Sequence, residues 1–221
     1  MTQLVVDVNH KGKPVSAYVE GPFDEGLQTL TDNGYSLISL EQNARLRMQE
    51  GASAYVSRNG NWVREGVIYV PKKGSFLTKK SPILAHAKEA TDCHRNGEEF
   101  YLTREQAKGS LEGSVPLSDE SVPTNRFNED PRTVYAFGKV ADDYGKFLRG
   151  QGITEMLVYL TSAQDKPFAR QLWFGGLDCR SDLDGYYRGL CGGRWVRGVR
   201  NVRATKNSGS PKSAAKALDL E

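Results

Sequence analysis

Apolar and polar residues alternate over Leu4–Val8 and Val15–Val19, which predicts two short strands joined by a turn around Gly12. A short helix is expected next, capped by Asp24 and running towards Leu30. The strongest helical signal follows. Ser39 and Gln42 have capping-box spacing, Leu40, Ala44 and Met48 recur every four residues on one face, and Gly51 can end the helix. Beyond it, Ala54–Arg58 and Val67–Val70 read as strands around the Asn59-Gly60 turn signal, with Trp62 packed nearby.

Ser81-Pro82 places a cap before a first-turn proline and predicts a helix over Ile83–Asp92. Thr103 and Gln106 repeat the capping-box spacing. The segment Gly109–Asp130 is rich in Ser, Gly, Pro and Asp and reads as a surface loop. Helical spacing returns with Val140, Tyr144 and Leu148, stopped by Gly150, and the continuous apolar run Met156–Leu160 reads as a buried strand. From Lys206 the chain is rich in Ser, Ala and Lys, so residues 206–221 are expected to be a disordered tail to a domain spanning 1–205.

The segment with the most information is Leu172–Arg200. It holds an apolar framework of Leu172, Trp173, Phe174, Leu177, Leu183, Leu190, Val196 and Val199. Between these lie Gly175, Gly176, Asp178, Cys179, Arg180, Asp182, Asp184, Tyr186, Tyr187, Gly189, Cys191 and Gly192. Acid, base, thiol, phenol and glycine alternate there without period. A catalytic site would converge on one chemistry, and a structural repeat would show a spacing. Lys, Glu, Gln and Met make up 39 of the 221 residues, yet none occurs in this 29-residue window, where composition alone predicts about five. Mutation of an asparagine codon at its adenines leaves a pyrimidine in the third place. Lys, Glu, Gln, Met and Trp then cannot arise, while every interleaved residue can. Trp173 and Trp195 must on this reading belong to the framework.

Composition narrows the alternatives. Apolar residues at 38% and aromatic residues at 10% suffice for a core. A net charge of +3 from 30 basic and 27 acidic residues is not that of a protein built to coat nucleic acid. No apolar run is long enough for a transmembrane helix, and Met1–His10 lacks the pattern of a Sec-type signal peptide. Cys93, Cys179 and Cys191 are too few for a disulfide framework.

Leu172–Arg200 resembles the variable region of a diversity-generating retroelement protein, in which a reverse transcriptase copies a template repeat with errors at adenines. Arg194-Trp195-Val196-Arg197-Gly198-Val199-Arg200 looks like the terminal strand of that family's C-type-lectin-like fold, and the same ending resembles the formylglycine-generating-enzyme branch. Gly34-Tyr35-Ser36-Leu37, leading into the Ser39 helix, is similar to the early helix of that branch. The resemblance implies an α+β, C-type-lectin-like domain elaborated by insertions over Asn59–Asp130, with a variable region at 172–200. It implies a binding protein rather than an enzyme, without cofactor, whose twelve interleaved residues face a macromolecular ligand, on a virion or a cell surface.

Other readings compete. The segment can be an ordinary Gly-rich edge of a sheet. Cys179 and Cys191 can be an oxidase pair, which predicts that they are close and reactive. A structural virion or surface protein without a selective ligand predicts that the interleaved positions are partly buried. His86, Cys93 and His94 match no zinc spacing. Asp142-Asp143 and Glu98-Glu99 read as solvated charges, and Arg188, Arg194, Arg197, Arg200 and Arg203 as structural or surface residues rather than contacts to nucleic acid.

Overall fold

The computed structural model describes residues 2–10, 13–186 and 189–200. The expected turn at Gly12, Tyr187, Arg188, Arg203 and the expected tail at 206–221 lie outside the described residues. The chain opens with an antiparallel pair, β1 (Leu4–His10) and β2 (Lys13–Gly21), as the alternation predicts. Helix α1 (Phe23–Asp32) starts at Phe23 behind Pro22, so Asp24 lies in its first turn and is not its cap. After the short β3 (Ser36–Leu37), helix α2 (Leu40–Glu50) carries the complete Ser39–Gln42 capping box and stops at Gly51.

Ala54–Arg58 is not a strand. It holds a single helical turn, α3 (Tyr55–Arg58), in which adjacent Val56 and Ser57 are buried while Tyr55 and Arg58 face outward. A strand would have buried every second residue instead. Gly60 leads directly into the long β4 (Asn61–Val70), so Asn59-Gly60 closes no hairpin, and Trp62 is fully buried. β5 (Gly74–Thr78) pairs back on β4. Pro82–His86 forms a 3-10 turn, and α4 (Ala87–Arg95) follows. Ser81 does not cap; its hydroxyl instead donates to Gln171 Oε1 at 2.8 Å.

Next come β6 (Phe100–Tyr101) and α5 (Arg104–Leu111), the latter with its expected Thr103–Gln106 box. Gly109–Asp130 is not merely surface loop. It contains β7 (Val115–Leu117), β8 (Val122–Pro123) and a 3-10 turn at Thr124–Arg126, and it buries Leu117, Val122 and Phe127. Strands of two or three residues need only one or two inward apolar side chains, which a polar composition conceals. Helices α6 (Pro131–Phe137) and α7 (Ala141–Gly150) follow; α7 buries Tyr144 and Leu148 as their spacing predicts. Met156–Leu160 is divided between β9 (Glu155–Met156), paired with β8, and β10 (Val158–Tyr159), with Tyr159 exposed; it is half-buried rather than buried. The last strands are β11 (Phe168–Phe174), β12 (Leu183–Asp184) and β13 (Arg194–Val199).

Among the described residues the main sheet runs in the order β1-β2-β13-β4-β11-β12-β10. β13 lies antiparallel to β2 and parallel to β4, which seats it within the sheet. The sheet separates two cores. Val63, Val67, Leu172 and Phe174 pack with Phe137, Tyr144 and Leu148 of α6 and α7. On the other side Trp62, Ile68, Trp173 and Val196 pack with Phe23 and Leu30 of α1 and Ala90 of α4. Among the described residues no helix is long and apolar enough to cross a membrane.

Candidate binding surface

The apolar framework of Leu172–Arg200 is largely interior. Leu172, Trp173, Phe174, Leu183, Leu190, Val196 and Val199 are buried, and Leu177 and Trp195 are half-buried against the cores. Three segments between them carry the interleaved residues.

The first leaves β11 at Gly175 and returns at Asp182. Gly175 N donates to Asp182 O at 2.8 Å and Ser181 N to Gly176 O at 3.0 Å, so the loop is closed at its base by its own backbone. A 3-10 turn over Leu177–Cys179 forms its tip, and Arg180 and Ser181 adopt left-handed conformations, with φ of 56° and 57°. Asp178, Cys179 and Arg180 are exposed. Gly175 and Gly176 are buried: a Cβ on Gly176 would collide with the carbonyl of Arg58, and one on Gly175 with the carboxyl of Asp182. Asp182 itself is only 4% exposed.

The second segment is β12 and its exit. Asp184 is 2% exposed and accepts from the Tyr186 N–H at 2.7 Å, turning the chain outward. Tyr69 Oη donates to Gly185 O at 2.9 Å, and the Arg170 guanidinium donates to Tyr186 O. The Tyr186 side chain is 41% exposed and borders an open groove of about 410 Å³ with Asp119, Ser121 and Leu157–Leu160. Ser121 also donates to Glu155 Oε2, and Glu155 pairs with Arg180 at 3.3 Å. Ser121, which borders the groove beside Tyr186, is thereby linked through Glu155 to Arg180.

The third segment, around Gly189–Gly192, belongs to the opposite core. Leu190 packs there, and its carbonyl accepts from Phe23 N at 2.8 Å. Cys191 is exposed, while Gly189 and Gly192 are half-buried. His94 of α4 lies beside Gly189, and burial, followed by the Arg170 charge, lowers its pKa. The described interleaved residues divide by exposure. Gly175, Gly176, Asp182 and Asp184 are buried because they close loops or turns. Asp178, Cys179, Arg180, Tyr186 and Cys191 are exposed, on segments packed against different cores.

Beneath the first loop lies a residue that sequence reasoning missed. Arg47 of α2 is fully buried. It donates to Val56 O at 3.2 Å, Tyr144 Oη at 3.2 Å, Gly175 O at 2.8 Å and Ser181 Oγ at 3.1 Å, and its guanidinium stacks on Phe174 at 4.0 Å. An arginine on a helix otherwise reads as a solvated charge, so its spacing carried no signal.

Cys93 is half-buried, Cys179 and Cys191 are exposed, and burial raises the pKa of Cys93. His86 engages Gln106 and Glu89, away from any thiol ligand set, and among the described residues no three His, Cys, Asp or Glu side chains group as metal ligands. Asp142 and Asp143 pair with Lys146 at the surface. Glu99, expected to be solvated, instead forms a two-pronged, largely buried pair with Arg170. Among the described residues the C-terminal arginines Arg194, Arg197 and Arg200 do not form one stripe. Arg197 is buried on Asp7 and Ser16, at 2.6 and 2.9 Å, Arg200 donates to Asn33 O, and Arg194 is exposed.

No family model and no curated protein matches the chain. A solved structure does, from work described as the accommodation of massive sequence variation in Nanoarchaeota by the C-type lectin fold. The two superpose with a TM-score of 0.62 at 15% identity, over 90% of this chain and 97% of that one. This α+β chain has the C-type lectin fold.

Proposed function

We propose that this chain is a ligand-binding protein whose C-terminal surface is diversified by retroelement-directed mutagenesis at adenines, for recognition of a macromolecular or cell-surface ligand. One observation carries the reading. Exposed residues of unrelated chemistry, Asp178, Cys179, Arg180, Tyr186 and Cys191, project from segments whose backbone is held by buried neighbours. Side chains of that kind can change without disturbing the core. The similar Nanoarchaeota structure, described as accommodating massive sequence variation in this fold, supports the same reading. Tyr186 adds the large, low-entropy contact area typical of paratopes.

The test is the neighbouring DNA. The expected result is a near-copy of the segment encoding Leu172–Arg200, differing at adenines, beside a reverse-transcriptase gene. Absence of such a copy overturns diversification. The burial of Gly175, Gly176, Asp182 and Asp184 favours a second reading, a structural virion or surface protein with no selective ligand. That reading predicts no template copy, so the same observation separates the two.

A further inference from the structure

We infer that Arg47 is the positioning residue of the 175–182 loop, and that Asp178, Cys179 and Arg180 are the specificity-determining positions it presents. The second half of this inference rests on the proposed binding function; the first does not.

The loop is short, its two ends meet through the Gly175–Asp182 and Ser181–Gly176 backbone bonds, and Arg47 reaches both ends from below, at Gly175 O and Ser181 Oγ. The same guanidinium holds α3 through Val56 O and α7 through Tyr144 Oη, and Tyr144 Oη lies 2.6 Å from Ser181 Oγ. One buried group thereby ties the base of the loop to three helices. Its planar fork suits this work, because several N–H donors leave it in fixed directions and its face can stack on Phe174. A lysine would place a single ammonium where several acceptors must be met.

At the tip, Arg180 makes only a solvent-exposed pair with Glu155, a kind of contact that contributes little to stability. The bonds that close the loop come from the backbone at Gly175, Gly176, Ser181 and Asp182 and from Arg47. Gly175 and Gly176 admit no Cβ without displacing Asp182 or the Arg58 backbone, and Ser181 supplies the hydroxyl that Arg47 grips. Only the left-handed φ at Arg180 restricts the tip, favouring Asn, Asp or Gly over β-branched residues. An asparagine codon, the starting point that the sequence suggests, encodes a residue at ease there.

The test uses the full chain and no ligand. A nitroxide is attached at Cys179 in a Cys93→Ala, Cys191→Ser background, and separately at Cys191 in a Cys93→Ala, Cys179→Ser background. Arg47→Met is then introduced into each. The expected result is faster label motion at Cys179, by about twofold or more in correlation time, with the Cys191 label unchanged. Equal loosening at both sites shows a general structural role and overturns the inference, as does no change at Cys179. Should Arg47→Met not fold, Ser181→Ala removes the Arg47 contact at one end of the loop and leaves that at Gly175 O, so a smaller loosening confined to Cys179 is expected, and equal loosening at both labels or none at Cys179 overturns the inference. A displayed library randomised at 178, 179 and 180 should keep parental protease resistance in most members. One randomised at 175, 176, 181 and 182 should lose it, and equal loss in both libraries overturns the assignment of the tip. Neither measurement depends on binding, so a missing template repeat would leave these results standing.

Discussion

Leu183→Ala, set against Tyr186→Ser, tests the division between framework and surface most directly. Leu183 sits in a two-residue strand between β10 and β11, is fully buried, and packs in the core shared with Phe174 and Tyr144. Truncation to Ala removes three carbons from an apolar site, about 2.4 kcal/mol at ~0.8 kcal/mol per buried carbon. β12 is hydrogen-bonded on both sides, so the site can collapse only partly, and each ~60 Å³ left unfilled adds about 1.5 kcal/mol. The expected loss is therefore about 2–4 kcal/mol, which lowers Tm by roughly 5–15 °C in a domain of this size. Tyr186 lies three residues along the chain but points outward, and Tyr186→Ser should change stability by no more than about 0.5 kcal/mol. Urea denaturation with a common m-value, checked by thermal melting, measures both. Equal losses would refute the assignment of Leu183 to the framework and Tyr186 to the surface.

Gly176→Ala should destabilise by about 1–3 kcal/mol or more, because its Cβ meets the Arg58 carbonyl, which cannot swing aside. Gly192→Ala, whose Cβ has only ordinary contacts, should be nearly neutral, and comparable losses in the two melts would show that the loops are not distinguished as described. Burial raises the pKa of the Glu65 carboxyl above its ordinary value, while Leu40 N donates to it at 3.0 Å. The folded chain thus holds this proton more tightly than the unfolded chain. The associated stability is fully present below the unfolded pKa and is lost as pH rises through the folded one. Glu65→Gln keeps an acceptor for Leu40 N, so its stability relative to the parent should increase as pH rises from acid to neutral; a difference independent of pH would contradict this. Melting should be unaltered by EDTA or by a thiol reductant, and a fall of many degrees in either would reveal a metal or a Cys179–Cys191 bridge.

Local devices were legible in the sequence because their partners lie within one turn. Ser39 with Gln42 and Thr103 with Gln106 form their capping boxes as the spacing predicts, and of the four-residue repeat Tyr144 and Leu148 are buried on α7, with Val140 at its N-cap. The resemblance of Leu172–Arg200 led to the correct fold, and the apolar framework of that segment lies against the two cores. What spacing could not convey was partnership across the chain. Ala54–Arg58 coils because Val56 and Ser57 both turn inward, and Ser57 Oγ reaches the Gly51 carbonyl at 2.7 Å. β8 exists because β9 lies beside it, and Glu99 is drawn largely out of solvent because Arg170, 71 residues later, neutralises it.

The same limit governs the candidate site. That residues of unrelated chemistry are set into an apolar framework follows from residue type and order. The tertiary structure alone decided which of them reach solvent. Asp178 and Asp182 are chemically identical and four residues apart, yet one stands on the exposed tip and the other closes the base. The difference comes from Arg47 and the Arg58 backbone, more than a hundred residues away, which fix the loop's base and so determine which side chains remain outside.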